Sequence, residues 1–207
     1  MAGKQSLDDL RIAISALESE KRYSHTLGVE QEAAALGELL LPDRVDALRA
    51  AALLHDMTKC LSDEEQLTLA KEVGVPLTPE LLASPQVLHG LTAARMIPKQ
   101  FPDFAAPEIV HAVEVHTTGA PDMSLFDKIL FVADYTEPGR SQSVCRETRR
   151  CMWEQLGGSE DKYRVLDETV CRILRDTVQY LHENNRPVVS ATESAYRFLV
   201  RQLTDMK

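Results

Sequence analysis

Cysteine is scarce in this sequence. There are four in 207 residues, at positions 60, 145, 151 and 171, and none forms a Cys-x-x-Cys pair. That argues against a disulfide-stapled secreted scaffold and fits a reduced, cytoplasmic setting. Long apolar runs are missing as well. Ile129-Leu130-Phe131-Val132-Ala133 is among the longest, far short of the roughly 20 residues that span a bilayer. The first residues turn acidic at Asp8 and Asp9 without an apolar stretch, so neither a signal peptide nor a membrane partner is expected. Positive charge is in deficit. Lys+Arg total 23 against 32 Asp+Glu, a net charge of −9. A nucleic-acid binder needs a basic surface to displace condensed counterions, so nucleic acid is not an expected partner. A small phosphorylated ligand held by a few local cations remains compatible. Sustained strand-like alternation, internal repeats and low-complexity runs are absent too.

What is present is helical periodicity. Ser6 with Asp8 and Asp9 reads as a capped helix start. The pattern predicts helices over about 6–20, 24–41, 43–57, 62–74, 86–97, 107–116, 123–137, 162–183 and 190–206. Ser62-Asp63-Glu64-Glu65 spells a capping box. A short turn is expected within Val75 to Pro85. The polar stretch Gly157-Gly158-Ser159-Glu160-Asp161 reads as a loop or soft boundary. The fold class is all-α, with the last two helices packed on the rest.

The chemistry concentrates in the histidines. A lone histidine is more often packed or exposed than a ligand, but placement changes the weighting. Leu48, Ala51, Ala52 and His55 fall at i, i+3, i+4 and i+7, so His55 continues a buried helical stripe. Asp56 follows about 100° around the helix. A carboxylate beside such a run is costly to bury unless paired or metal-bound. Ile109, Ala112, Val113 and His116 repeat the spacing, and Asp134 ends the apolar run from Ile129. If these helices pack together, imidazoles and carboxylates meet in one pocket. Mixed His/Asp ligation suits iron, manganese, cobalt or zinc and leaves positions for water. The plainer account of the same residues is satisfied core histidines and capping aspartates. His111 lies about 140° from His116 on the wheel and is expected to be structural or exposed. His182, in a last helical turn, suits the helix dipole. Arg22, Lys59 and Arg140 stand close in sequence to the proposed ligands. Grouped cations in an acidic chain point to an anionic substrate, most simply phosphate.

The order His25, His55-Asp56, His89, His116, Asp134 resembles the H…HD…H…H…D signature of HD-domain metal-dependent phosphohydrolases. The local words are more specific. Leu-Leu-His55-Asp56-Met-Thr-Lys59, His89-Gly90-Leu-Thr-Ala-Ala, Val-His116-Thr-Thr-Gly119 and Val-Ala-Asp134-Tyr135-Thr-Glu137-Pro138-Gly139-Arg140 resemble the YqeK family. The resemblance spans about residues 10 to 200. It implies an HD-domain helical bundle, one domain over residues 1–207. The catalytic core would occupy about 20–140, with the C-terminal helices, about 160–206, packed on it. It further implies symmetrical hydrolysis of diadenosine tetraphosphate to two ADP, a metal-bound water attacking a central phosphorus.

The implied metal ligands are His25, His55, Asp56 and Asp134. Iron is the implied ion, with manganese, cobalt and zinc accepting the same ligands, as one or two ions. The implied nucleotide contacts are Arg22, His25, Asp56, Met57, Thr58, Lys59, His89, His116 and Arg140. A later stretch, Thr177, Val178, Gln179, Tyr180, Leu181 and His182, would flank the nucleotide. The catalytic set is Asp56, Lys59, His89 and His116. Lys59, Arg22 and Arg140 would neutralise phosphoryl oxygens. His89 and His116 would either hold a second metal, with Asp56 in both coordination spheres, or donate hydrogen bonds to phosphate, one acting as general acid. The family pattern is not matched where Tyr196 is followed by Arg197 rather than Asn, and residues 145–161 align poorly. Another HD nucleotide phosphohydrolase, such as a 5′-nucleotidase or a deoxynucleoside triphosphatase, and a non-catalytic nucleotide-binding module are the competing readings. The expected partner is a dinucleoside polyphosphate, and exposed faces of the C-terminal helices could pair two copies as a homodimer.

Overall fold

The computed structural model describes residues 5–205. Among them all regular structure is helical, and no helix is long and apolar enough to cross a membrane. Met206, the expected end of the last helix, lies outside the described residues.

Helix α1 (Leu7–Ser15) opens on the Ser6 capping box, completed by the Asp9 side chain. It ends well before the expected residue 20. Ser19 accepts from the Arg22 amide and starts α2 (Glu20–Leu40) four residues earlier than the periodicity indicated. The reason is a cap: Ser19 offers an oxygen to an orphan amide that no residue of the continuing α1 would satisfy. A 3-10 turn at Pro42–Arg44 leads into α3 (Val45–Leu54). The α-helix stops at His55, not Met57, and successive tight turns carry the chain through Lys59. Helix α4 (Asp63–Glu72) has the expected Ser62–Glu65 capping box. Helix α5 (Pro79–Ala83) and a 3-10 turn at Pro85–Val87 precede α6 (Leu88–Gln100). A further 3-10 turn, Pro102–Phe104, joins α6 to α7 (Pro107–Val115), and α8 (Leu125–Thr136) is capped by Ser124.

The segment after Pro138-Gly139 corrects the sequence reading. Residues 143–158 form a full helix, α9 (Ser143–Gly158), and only the end of the polar stretch is irregular. Its buried stripe is Cys145, Thr148, Met152 and Leu156. That stripe has helical spacing, but weakly apolar residues carry it among arginines and glutamates. Helices α10 (Lys162–Glu183) and α11 (Ser190–Asp205) close the chain.

Helix α2 lies against α3 and α8, α6 against α7, and α7 against α3 and α8. Helix α10 packs across α8, α9 and α11. One cluster of buried side chains runs from Leu10 in α1 to Leu199 in α11. Helices α6 and α7 approach closely because residue 90 is glycine: a Cβ there would lie 3.1 Å from the Val113 carbonyl and 3.2 Å from His116 Cε1. That approach sets His89 beside His116.

An ion pair with a buried carboxylate ties α9 to α2. The Glu32 carboxylate accepts from Trp153 Nε1 at 2.7 Å and from Arg149 Nη2 at 3.0 Å. Arg149→Met leaves this buried carboxylate with the indole N–H as its main donor. The expected cost is about 2 kcal/mol, discounted because the guanidinium is partly exposed. It should appear as a lower urea midpoint with an unchanged m-value.

Candidate functional site

Five elements deliver the polar cluster, and mostly helix ends do it. His55 and His116 are the C-cap residues of α3 and α7. His89 lies in the first turn of α6, Asp134 in the last turn of α8, and His25 in the second turn of α2. The apolar stripes behave as the wheel indicated: Leu48, Ala51, Ala52 and His55 are all fully buried, as are Ala112 and Val113 beside His116.

Asp56 sits at the centre. Its Oδ2 lies 3.5 Å from His55 Nε2 and 3.8 Å from His25 Nε2. Its Oδ1 lies 3.2 Å from His89 Nε2 and 3.7 Å from His116 Nε2. Asp134 Oδ1 lies 3.1 Å from His25 Nε2 and 3.9 Å from His55 Nε2. The imidazoles and carboxylates from residues 25 to 134 therefore meet. Two overlapping groups have ligand atoms close enough to share an ion: His25, His55 and Asp134, and His55, Asp56 and His116.

The outer nitrogens fix the direction of the inner ones. His55 Nδ1 lies 2.6 Å from the Ala52 carbonyl and His116 Nδ1 2.7 Å from the Val113 carbonyl. His25 Nδ1 lies 3.1 Å from Glu137 Oε1. A carbonyl or carboxylate oxygen only accepts, so Nδ1 carries the hydrogen in each and Nε2 presents its lone pair. The Nε2 atoms of His25 and His55 are buried and make no hydrogen bond. Uncommitted, buried imidazole nitrogens beside two carboxylates fit a divalent cation. His89 differs, with Nδ1 2.8 Å from the Gln86 carbonyl and 3.1 Å from Lys59 Nζ. Thr117 Oγ1 lies 2.9 Å from His89 Nε2 and 3.0 Å from His116 Nε2, and can donate to one of them.

The electrostatics match. Burial alone would raise the Asp56 carboxyl, but the His55 charge and the close imidazoles of His116, His55 and His89 hold it well below the usual carboxylate range. Asp134 is likewise lowered, against its burial, by His25 and Arg140. Burial would lower His55, yet Asp56 and Asp134 lift it to about 9. At His89 burial wins and pulls the imidazole down to about 4. The carboxylates thus call for positive charge at the centre: a proton on His55 Nε2 supplies it in the metal-free protein, and a divalent cation at that nitrogen would take its place.

Two arginines attach to the carboxylates from outside. Arg22 Nη1 donates to Asp56 Oδ2 at 2.8 Å, and Arg140 Nη2 donates to Asp134 Oδ1 at 2.6 Å. Beside them opens a cavity of about 810 Å³, whose lining includes Arg22, His25, Lys59 and Arg140. That volume suits a nucleotide-sized ligand. The first turn of α2 and the turn between α8 and α9 form its walls, adding Lys21, Ser141 and Gln142. Thr58 is buried just behind, donating to the His89 carbonyl at 3.0 Å, and Met57 belongs to the core.

Residues 177–182 are not brought to this cavity. They follow Asp176, which acts electrostatically on Tyr135 beside Asp134, so α10 passes near the site by another side. Gln179, Tyr180 and His182 are exposed there, while Thr177, Val178 and Leu181 are half-buried. His111, expected to be structural or exposed, pairs with Asp127 at 3.0 Å, away from the cluster. Sequence reasoning passed over Glu137, Thr117 and Lys21 as site residues. Each adjoins or shares a motif with a residue it did select, but none has a periodic or charge signature of its own.

Comparison with known proteins agrees with this geometry. A family profile described as the HD domain matches residues 22–139. A protein of Halalkalibacterium halodurans named bis(5′-nucleosyl)-tetraphosphatase, symmetrical, is 30% identical over 182 residues, covering 88% of this chain and 90% of its own length. The protein of the same name from Staphylococcus aureus is 31% identical, with 84% of each chain covered. The crystal structure of a predicted HD superfamily hydrolase involved in NAD metabolism from Clostridium acetobutylicum superimposes with a TM-score of 0.83 at 28% identity, covering 97% of this chain and all of the other. The chain belongs to the HD-domain family and, within it, to the branch of the symmetrical bis(5′-nucleosyl)-tetraphosphatases.

Proposed function

We propose that this protein hydrolyses diadenosine tetraphosphate symmetrically, giving two ADP, as a single HD-type domain dependent on a divalent metal. The observation that carries the reading is the pair of buried, unbonded Nε2 atoms of His25 and His55 beside the Asp56 and Asp134 carboxylates. His25, His55, Asp56 and Asp134 hold the ion, and iron is the ion we assign. When bound, a divalent ion supplies Lewis acidity and lowers the pKa of a water at neutral pH.

The chain's own groups do the rest. Arg22 engages Asp56 through Nη1, leaving Nε and Nη2 for phosphoryl oxygens. Arg140 binds Asp134 through Nε and Nη2, leaving Nη1. Lys59 places an ammonium on the cavity wall next to His89. Together they neutralise charge as it moves onto the leaving ADP. Of His89 and His116, 3.1 Å apart at Nε2, one would take up at Nε2 the proton that the attacking water gives up, and as an imidazolium donate to a phosphate and pass that proton to the departing oxygen. Residues 177–182, outside the cavity on the side that α10 passes, would flank one nucleoside beyond its rim. The substrate is a small dinucleotide. Two copies would pair through α10 and α11, whose Tyr180, Phe198 and Val200 are exposed. Four free thiols suit a cytoplasmic protein.

The test couples metal analysis of anaerobically purified protein to chromatography of the products. Two ADP per dinucleotide is the expected result. ATP plus AMP, or nucleoside plus phosphate, would reject it. Binding without turnover in metal-loaded protein would leave only a nucleotide-binding module. Metal removal has its own expected signature. An ion at a hundred times its Kd adds about 2.7 kcal/mol of stability. Chelation should therefore lower the melting midpoint by about 5–10 °C for a chain of this size.

A further inference from the structure

Glu137 is buried to 4% exposure at the mouth of the turn between α8 and α9. A carboxylate held there needs partners, and its two oxygens divide the work. Oε1 accepts from His25 Nδ1 at 3.1 Å, and Oε2 accepts from the Gly139 amide at 2.5 Å. Space has been left for it. A Cβ on Gly28, one turn beyond His25 in α2, would overlap Glu137 Oε2.

The other imidazoles explain why a carboxylate is needed at this one. His55 and His116 cap their helices, so Nδ1 of each reaches a carbonyl three residues back that the ended helix has freed. His25 lies inside α2, where the Arg22 carbonyl belongs to the helical ladder. Its acceptor must come from another element, and Glu137 is that acceptor.

We propose that Glu137 is a positioning residue: it holds the hydrogen on His25 Nδ1, so that Nε2 presents its lone pair to the metal beside Asp134 and Asp56. Gly28 is the clearance that lets Glu137 do so. The proposal rests on the metal reading of the preceding section. It also joins the metal to substrate binding, because the turn anchored by Glu137 carries Arg140 into the cavity.

Glu137→Gln keeps the shape and removes one acceptor. If its amide oxygen takes the Gly139 N–H, its NH2 faces His25 Nδ1. His25 then shifts its hydrogen to Nε2, where a metal would bind. The expected result is metal affinity lower by about 10–100-fold, measured with Mn²⁺ against a competing chelator. The metal-free variant should melt close to the metal-free wild type. Nitrogen-15 shifts of His25 in metal-free protein should report hydrogen on Nδ1 in the wild type and on Nε2 in Glu137→Gln. Gly28→Ala, which pushes the carboxylate aside without changing its charge, should weaken Mn²⁺ in the same direction.

Wild-type affinity retained in Glu137→Gln would overturn the proposal. So would lost affinity with the His25 hydrogen still on Nδ1, since the effect would then be structural. Wild-type protein that takes up no divalent metal would overturn the metal reading and this proposal together. Uptake by the wild type with an unaffected variant would overturn this proposal alone.

Discussion

Asp56→Asn should strip the protein of metal and of turnover together. The side chain keeps its shape and loses its charge, and the position tolerates no such change. Both Asp56 oxygens are engaged, Oδ2 by Arg22, His55 and His25 and Oδ1 by His89 and His116. An amide offers one acceptor and one donor, so one side of the cluster would meet an NH2 group where it now meets a carboxylate oxygen. A cation in a buried site depends on that charge, because beside Asp56 only Asp134 and the outer Glu137 set a carboxylate against four imidazoles and two guanidiniums. Losing the metal forfeits several kcal/mol of transition-state stabilisation, which is about a thousandfold in rate. Metal content per chain and ADP release should fall in parallel, and circular dichroism of the metal-free proteins should overlay. Full turnover in Asp56→Asn would remove this carboxylate from the chemistry and with it the proposed mechanism.

How far the sequence could be read follows from what kind of signal each feature leaves. Convergence of His55, His116 and Asp134 was legible because each ends an apolar stripe, and an apolar stripe fixes which way its last residue faces. Helix ends with a serine cap and an acid three residues later, at Ser6 and Ser62, were legible for the same local reason. Helix α9 was not. Its inner face depends on Cys145, Thr148, Met152 and Leu156, whose burial comes from α8 and α10 rather than from their own hydrophobicity. Its anchor, Glu32 with Arg149 and Trp153, joins residues more than a hundred apart, a pairing that no local pattern announces. Glu137 was hidden in a similar way. It stands three residues after Asp134, but its partner His25 is 112 residues away. The split between α1 and α2 was expected but placed too late, because Ser19 interrupts the helix with a cap and not with a proline or glycine.

Lys59→Ala should give the opposite dissection, with metal kept and turnover lost. Lys59 Nζ touches His89 Nδ1 at 3.1 Å and the Gln86 carbonyl at 3.4 Å, and neither carboxylate of the proposed coordination sphere. Removing it leaves the ligands in place, so metal content should match the wild type. What disappears is a positive charge on the cavity wall, held where little water competes. Deleting one such preorganised donor costs about 10²–10³ in kcat. Burial lowers the Lys59 pKa from its ordinary value, against the attraction of Asp56 and Asp134 and with help from Arg22 and Arg140. The ammonium is the form that neutralises phosphate, and it is lost as pH rises through that lowered value. Wild-type turnover should therefore fall on the alkaline side earlier than an ordinary lysine would dictate. In Lys59→Arg, which keeps a charge that does not titrate below pH 12, that alkaline fall should move upward even if the maximum rate is reduced. An alkaline limb at the same pH in both proteins would assign it to another group and leave Lys59 as a wall residue without a part in the reaction.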